Sequence, residues 1–226
     1  MTIRATWLTA ITYVAGAILA GCSSVSEPAR LYVLDATQRY ATVRPASAQD
    51  APIVAIAGVK LPEYLNQNGI VTRDSNNEIT RADFHIWAGP LSEQIARTIA
   101  EDISIMLPSD RVTLNAGRRS IPVDYTIDVE IVSFERDAAA RNVDLVATWI
   151  VFRGDERSML AMRRSRFSKP VAGPDYKDTV AAMSEALAAL CEEITATMNR
   201  GPGKTDRVAT GRQSRQMSGE GATRRR

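Results

Sequence analysis

The chain has 226 residues, 45% of them hydrophobic and 24% charged, with length for one ordinary domain able to bury a core without staples. Its single histidine, His85, excludes a multi-histidine metal centre and a Ser-His site assembled in the usual way. The net charge of +2 hides a division: residues 199–226 carry eight basic residues against Asp206 and Glu220, net +6, while residues 22–198 carry 19 basic and 24 acidic residues, net −5. The basic balance therefore belongs to the tail, and no nucleic-acid partner is expected.

At the N-terminus Arg4 precedes an uncharged, largely apolar run over 7–19, followed by Leu19-Ala20-Gly21-Cys22. The run is too short for a comfortable transmembrane helix, which needs about 20 apolar residues, and reads as an export signal. Ala20 and Gly21 leave an open approach to the peptide bond before Cys22, whose thiol can take a thioether-linked lipid. The tetrapeptide resembles the bacterial lipobox. That resemblance implies cleavage after residue 21 and a covalent lipid on Cys22. Ser23 follows the cysteine in place of an Asp retention signal, which implies the periplasmic face of the outer membrane. Each buried methylene contributes about 0.8 kcal/mol, so several acyl chains make a firm anchor. With Cys22 lipidated, Cys191 has no partner for an intramolecular disulfide. The expected organisation is a signal peptide over 1–21, a lipidated linker over 22–29, a folded domain over 30–198 and a disordered basic tail over 199–226. The tail's arginines could meet anionic lipid headgroups, although such charge runs are usually just solvated.

Within the domain, a short strand is predicted over 31–34, a polar loop over 37–51 and a longer strand over 53–59. Pro62 starts a single turn through Leu65. Asn68-Gly69 and Asn76-Asn77 are turn dipeptides able to take positive φ, and they bracket a short extended run over 70–73. The segment 82–88 reads as a loop whose Phe84 and Trp87 wedge against the next helix. Gly89-Pro90 opens that helix, with Leu91, Ile95, Ile99, Ile103 and Met106 on one face and Pro108 as terminator. Val123, Tyr125, Ile127, Val129 and Ile131 then alternate with polar residues as in a strand with one wet face. The phase slips at Val132, which predicts a bulge there. Residues 143–152 are apolar at nearly every position and predict a central strand covered on both faces, whereas 160–167 is more basic and predicts an edge. A last helix opens near Asp175, whose carboxylate can cap it, with Val180, Met183, Leu187, Leu190, Ile194 and Met198 as its stripe. Cys191 lies beside that stripe as a small buried hydrophobe. Together these elements predict an α+β domain: two amphipathic helices packed on an antiparallel or mixed β-sheet.

Chemistry is sparse. There is no Gly-rich phosphate loop, no Gly-x-Ser-x-Gly elbow and no cysteine pair, and the carboxylates fall on polar faces where solvation explains them. An enzyme is not expected, nor a metal, nor any cofactor beyond the lipid on Cys22. His85, between Phe84 and Trp87, could serve a contact surface or a pH-sensitive joint.

Four stretches, Leu31-Tyr32-Val33-Leu34-Asp35, Val59-Lys60-Leu61-Pro62-Glu63-Tyr64-Leu65, Ile70-Val71-Thr72-Arg73 and Phe84-His85-Ile86-Trp87-Ala88-Gly89-Pro90-Leu91, resemble in order and spacing the ABC-type transport auxiliary lipoproteins, the PqiC-like family. The resemblance extends over about residues 30–198 and departs from the family at Ile86, often basic there, and in the arginine-rich tail. It implies an accessory or docking role, beneath the outer membrane, for an MCE-domain tunnel protein of an intermembrane lipid transporter, and assembly into a homo-oligomeric ring. The competing readings are a periplasmic lipid carrier and an adaptor or activator of another envelope complex. Contacts to the partner are expected from loops between Leu61 and Trp87, with Tyr64, Arg73, His85 and Trp87 as candidates. Substituting Tyr64 or Arg73 is expected to weaken partner capture at an unchanged melting temperature.

Overall fold

A computed structural model of the chain describes residues 27–36, 51–107, 109, 111–114, 122–154 and 158–200. The expected signal peptide, Cys22, most of the loop over 37–51 and residues 201–226 of the tail lie outside these. Eight strands form one mixed sheet: β1 Arg30–Tyr32, β2 Val54–Lys60, β3 Gly69–Ser75, β4 Glu78–Trp87, β5 Val112–Leu114, β6 Tyr125–Asp137, β7 Asn142–Arg153 and β8 Ser158–Pro170. Two helices, α1 Leu91–Met106 and α2 Tyr176–Arg200, pack on it. The predicted turn after Pro62 is a 3-10 turn, Glu63–Leu65.

β6, β7 and β8 form an antiparallel meander with β8 at its edge, as its basic residues predict. In β6 the alternation buries Ile127, Val129 and Ile131. Ile131 then pairs with Ala147 but Ser133 with Val146, so Val132 is the extra residue and Phe134 returns inward at 1% exposure. The bulge sits where the phase break predicts it. In β7, Val143, Leu145, Ala147, Trp149 and Val151 are fully buried, but Val146, Thr148 and Ile150 between them are only half-buried. The expectation of cover on both faces is therefore corrected: both helices lie on one face, and the apolar run continues onto an open one.

The other edge of β6 is shared. β2 pairs parallel with its first half, and β3 pairs parallel with Arg136 and Asp137 at its end. β5 and β4 lie outside β2 and β3, and β1 pairs parallel with the end of β4. The segment 82–88, expected as a loop, mostly belongs to β4. Its strand character is hidden because β4 bulges widely. Gly69 pairs with Ile86 and Val71 with Arg81, so two steps along β3 face five along β4. The bulge folds over Gly69, where an added Cβ would collide with the Ala82 carbonyl oxygen. Close approach, not φ, thus requires that glycine: among the described residues positive φ occurs at Arg141 (56°) and Gly154 (66°), not at Asn68, Gly69, Asn76 or Asn77.

In α1, Pro90 occupies the N-cap and not the first helical position, and its carbonyl accepts from the N–H groups of Glu93 and Gln94 at 3.1 Å. Leu91, Ile95, Ile99 and Ile103 are at most 3% exposed, as their spacing predicts. The helix ends at Met106, and Pro108 lies outside the described residues. At the start of α2 the carbonyl of Asp175 accepts from Asp178 and Thr179, while its carboxylate stands 3.4 Å from Lys177. All six residues of the predicted α2 stripe are buried. α1 covers β2 and β5, α2 covers β7 and β8, and the two helices pack together, with Cys191 Sγ 3.9 Å from the Ile99 carbonyl oxygen. Burying each such aliphatic side chain stabilises by about 1.5–3 kcal/mol.

Candidate functional site at the junction of β6 and α2

The end of β6 carries Glu135, only 3% exposed. A buried carboxylate must be paired and hydrogen-bonded, and residues far away in sequence supply both. Arg73 on β3 donates through Nε to Oε1 at 2.8 Å, and its Nη2 lies 2.7 Å from the same oxygen. The Tyr64 hydroxyl, from the 3-10 turn, donates to Oε2 at 3.0 Å, and the Phe134 N–H donates to Oε2 at 2.7 Å. The pairing with Glu135 holds Arg73 more firmly protonated than usual. Burial, reinforced by the neighbouring Glu135 charge, pushes the Tyr64 phenol up to about 12, so it keeps its proton and donates a hydrogen bond here.

Beside this network, Arg136 Nη1 donates to the Pro174 carbonyl at 3.3 Å and to Thr179 Oγ1 at 3.4 Å, tying β6 to the start of α2. Tyr176, the first residue of α2, stacks on His85 with ring centroids 4.0 Å apart and planes at 20°. Tyr32 of β1 completes the cluster, its hydroxyl 2.7 Å from His85 Nδ1. With the ring proton on Nε2, the Tyr32 O–H donates to that nitrogen.

The structure therefore brings Tyr64 and Arg73 together on Glu135, places half-buried His85 in an aromatic cluster, and puts Trp87 in the core at 5% exposure. Trp87 packs as the wedge reading expects, while Phe84 is 42% exposed. The expectation that Arg73 can be replaced without loss of stability is corrected, because removing it strands a buried carboxylate. Glu135, Tyr32 and Tyr176 were not among the expected residues. Glu135 lies on the wet phase of its strand, and only the distant Tyr64 and Arg73 reveal its burial. Asp102 on α1 is also buried, at 1%, so not every carboxylate falls on a solvated face as expected.

Among the described residues no group of three His, Cys, Asp or Glu side chains is placed to hold a metal ion. Burial, aided by the negative charges of Asp102 and Glu192, pushes the Cys191 thiol up and keeps it unreactive. What this end of the sheet offers is surface: Leu31 and Val33 are 64% and 62% exposed beside β1, and Ile79 and Phe84 stand out on β4. No helix among the described residues is long and apolar enough to cross a membrane.

Comparison with known proteins assigns this architecture. The chain is 31% identical over 102 residues to the intermembrane transport lipoprotein PqiC of Escherichia coli K12, covering 45% of this chain and 52% of that protein, and equally to PqiC of Shigella flexneri. The match thus spans about half the length of these relatives. The crystal structure of a Xanthomonas campestris protein superposes with a TM-score of 0.59 at 19% identity, over 83% of this chain and 99% of that one. A second crystal structure, of an uncharacterized protein, superposes with a TM-score of 0.62 at 18% identity, over 76% and 99%. These two share the fold. Residues 32–195, from β1 almost to the end of α2, match the family described as the ABC-type transport auxiliary lipoprotein component. On that match the chain belongs to the ABC-type transport auxiliary lipoproteins, a family of transport components and not of enzymes.

Proposed function

We propose that this lipoprotein is anchored through lipid on Cys22 to the periplasmic face of the outer membrane and serves as the docking subunit of an MCE-type intermembrane lipid transport system. The observation that carries this reading is the family match over 32–195, which takes in nearly all of the packed domain. The likeness to PqiC, named as an intermembrane transport lipoprotein, supports a role in transport between membranes. The proposed contact surface is the sheet end built around Tyr64, Arg73 and His85, with Ile79 and Phe84 exposed beside them and Trp87 supporting it from the core. Copies gathered on one membrane have a raised effective concentration, which favours a homo-oligomeric ring.

Envelopes expressing the tagged full chain test the proposal. Wild type is expected to take up a palmitate analogue, fractionate with the outer membrane and co-purify with an MCE-domain protein, and Cys22→Ser is expected to lose the label and the location. An unlabelled wild-type chain would reject the anchor. A labelled, correctly located chain that captures no MCE protein would reject docking.

A further inference from the structure

Both helices lie on one face of the sheet, which leaves the opposite face of β6, β7 and β8 without a covering element among the described residues. Two of the most exposed large apolar side chains stand there, Met159 at 58% and Met162 at 60%. They are three residues apart on β8, a spacing that sends side chains to opposite faces of a regular strand. A second bulge brings them to the same one. Met159 pairs with Phe152 and Met162 with Ile150, but Ala161 pairs with Val151, so Leu160 is surplus and the two methionines stand two ladder steps apart. Phe152 and Ile150 flank the fully buried Val151 and belong to the open face, where Met162 lines one end of a groove of about 390 Å³ that runs to Gly58.

The other methionines of the described residues are shielded. Met183 and Met198 are 2% and 3% exposed in the core, and the Thr195 hydroxyl donates to the sulfur of half-buried Met106 at 3.8 Å. That hydrogen bond engages the lone pair with which a thioether reacts. A two-electron oxidant has only to reach this lone pair, so exposure ranks the sites. We propose that Met159 and Met162 form an oxidation site for hypohalous acids, whose modification turns this end of the open face from apolar to polar. The sulfur attacks the oxygen of hypochlorous acid. The S–O bond forms as the O–Cl bond breaks, chloride leaves with the electron pair, and the hydroxyl proton passes to water. Sulfur is oxidised by two electrons and chlorine is reduced by two.

The setting suits the product as well as the attack. β8 is an edge strand, so the oxidant approaches both sulfurs from the side as well as from the face. A sulfoxide is polar and accepts hydrogen bonds. Arg164, exposed two residues beyond Met162 on the same face, can donate to it, whereas Asp128 and Glu130 stand on β6 with β7 between. A strand rises ~3.4 Å per residue, which puts the two Cα atoms on β8 about 7 Å apart, a span the arginine side chain covers. Neither methionine belongs to the packed core, so the fold tolerates the added oxygens. Ile150 and Phe152, by contrast, lose their apolar neighbours on the open face. This chemistry depends neither on the proposed partner nor on the proposed anchor.

The test treats the full chain in isolated envelopes with substoichiometric hypochlorite and maps its peptides by mass spectrometry. Met159 and Met162 are expected to gain oxygen about tenfold faster than Met183 and Met198. Photolabelling with an apolar diazirine, mapped in the same way, reads the polarity of the face. Labelling of the peptides that carry Ile150 to Met162 should fall about twofold on oxidation, as an apolar side chain becomes a polar one. Met159→Gln with Met162→Gln should show the same fall without oxidant. Met159→Leu with Met162→Leu should keep the label and lose the response to hypochlorite. Melting temperatures should hold throughout, since both side chains are exposed. Equal oxidation of exposed and buried methionines overturns the site. Labelling that ignores oxidation, or that falls as far in the leucine variant, overturns the change in polarity.

Discussion

Glu135 sits at 3% exposure with both oxygens satisfied, because Arg73, Tyr64 and a backbone N–H share them. Removing one partner leaves the other charge stranded, which is costlier than the pair's net contribution. Arg73→Ala is expected to destabilise by about 2–4 kcal/mol in urea titrations, below the top of the range for buried pairs because solvent still reaches Arg73. Adding Glu135→Gln should recover part of that loss; an additive double mutant would show that the two side chains are not coupled. Tyr64 gives a pH signature. Its phenol titrates at about 12 in the folded chain and at 10.0 when unperturbed, so its contribution is complete below pH 10 and falls as pH rises toward 12, where the unfolded chain releases its proton first. Tyr64→Phe should flatten that alkaline fall, and an unaltered limb would refute the assignment. Tyr64 and Arg73 were legible as residues of interest, but their partner was not, because Glu135 lies 71 and 62 residues away from them.

Two elements carry register devices that make opposite predictions for similar changes. Val132 is the surplus residue of β6, so deleting it joins Ile131 to Ser133 with both still on their present faces. The deletion is expected to change stability by about 1 kcal/mol at most. Deleting Thr148 from the uninterrupted stretch of β7 moves the side chains beyond it to the wrong face and should abolish folding, as circular dichroism would report. Glycines divide in the same way. Gly69→Ala drives a methyl into the Ala82 carbonyl and should cost about 1–3 kcal/mol, whereas Gly58→Ala meets open space and should stabilise by about 0.4–1 kcal/mol. Comparable melts for the two alanine variants would contradict the β4 bulge. That bulge is why the segment at His85 reads as a loop: three surplus residues break the period-two pattern.

At the scale of the whole molecule, α2 joins the layers. It packs on α1, β7 and β8, and Leu187 on its stripe is fully buried. Leu187→Ala is expected to cost about 2–5 kcal/mol in thermal and urea melts, while Glu185→Ala, exposed on the same helix, should be nearly silent. Equal small losses would mean that the helix face is wrongly assigned. The same packing leaves one sheet face open, and on it alternate positions of β7 remain half-buried.

By itself the sequence determined the α+β class, the phase of both helices, the bulge at Val132 and the edge position of β8, since each follows from periodicities of about 3.6 or 2 read over neighbouring residues. The order and spacing of four short stretches was enough to place the family. Only the tertiary structure decided that β2 and β3 share one edge of β6, that Glu135 is buried between Tyr64 and Arg73, and that β7 is covered on one face alone. Those outcomes depend on which distant segments meet, and an apolar run looks the same whether a helix, a second chain or nothing lies across it.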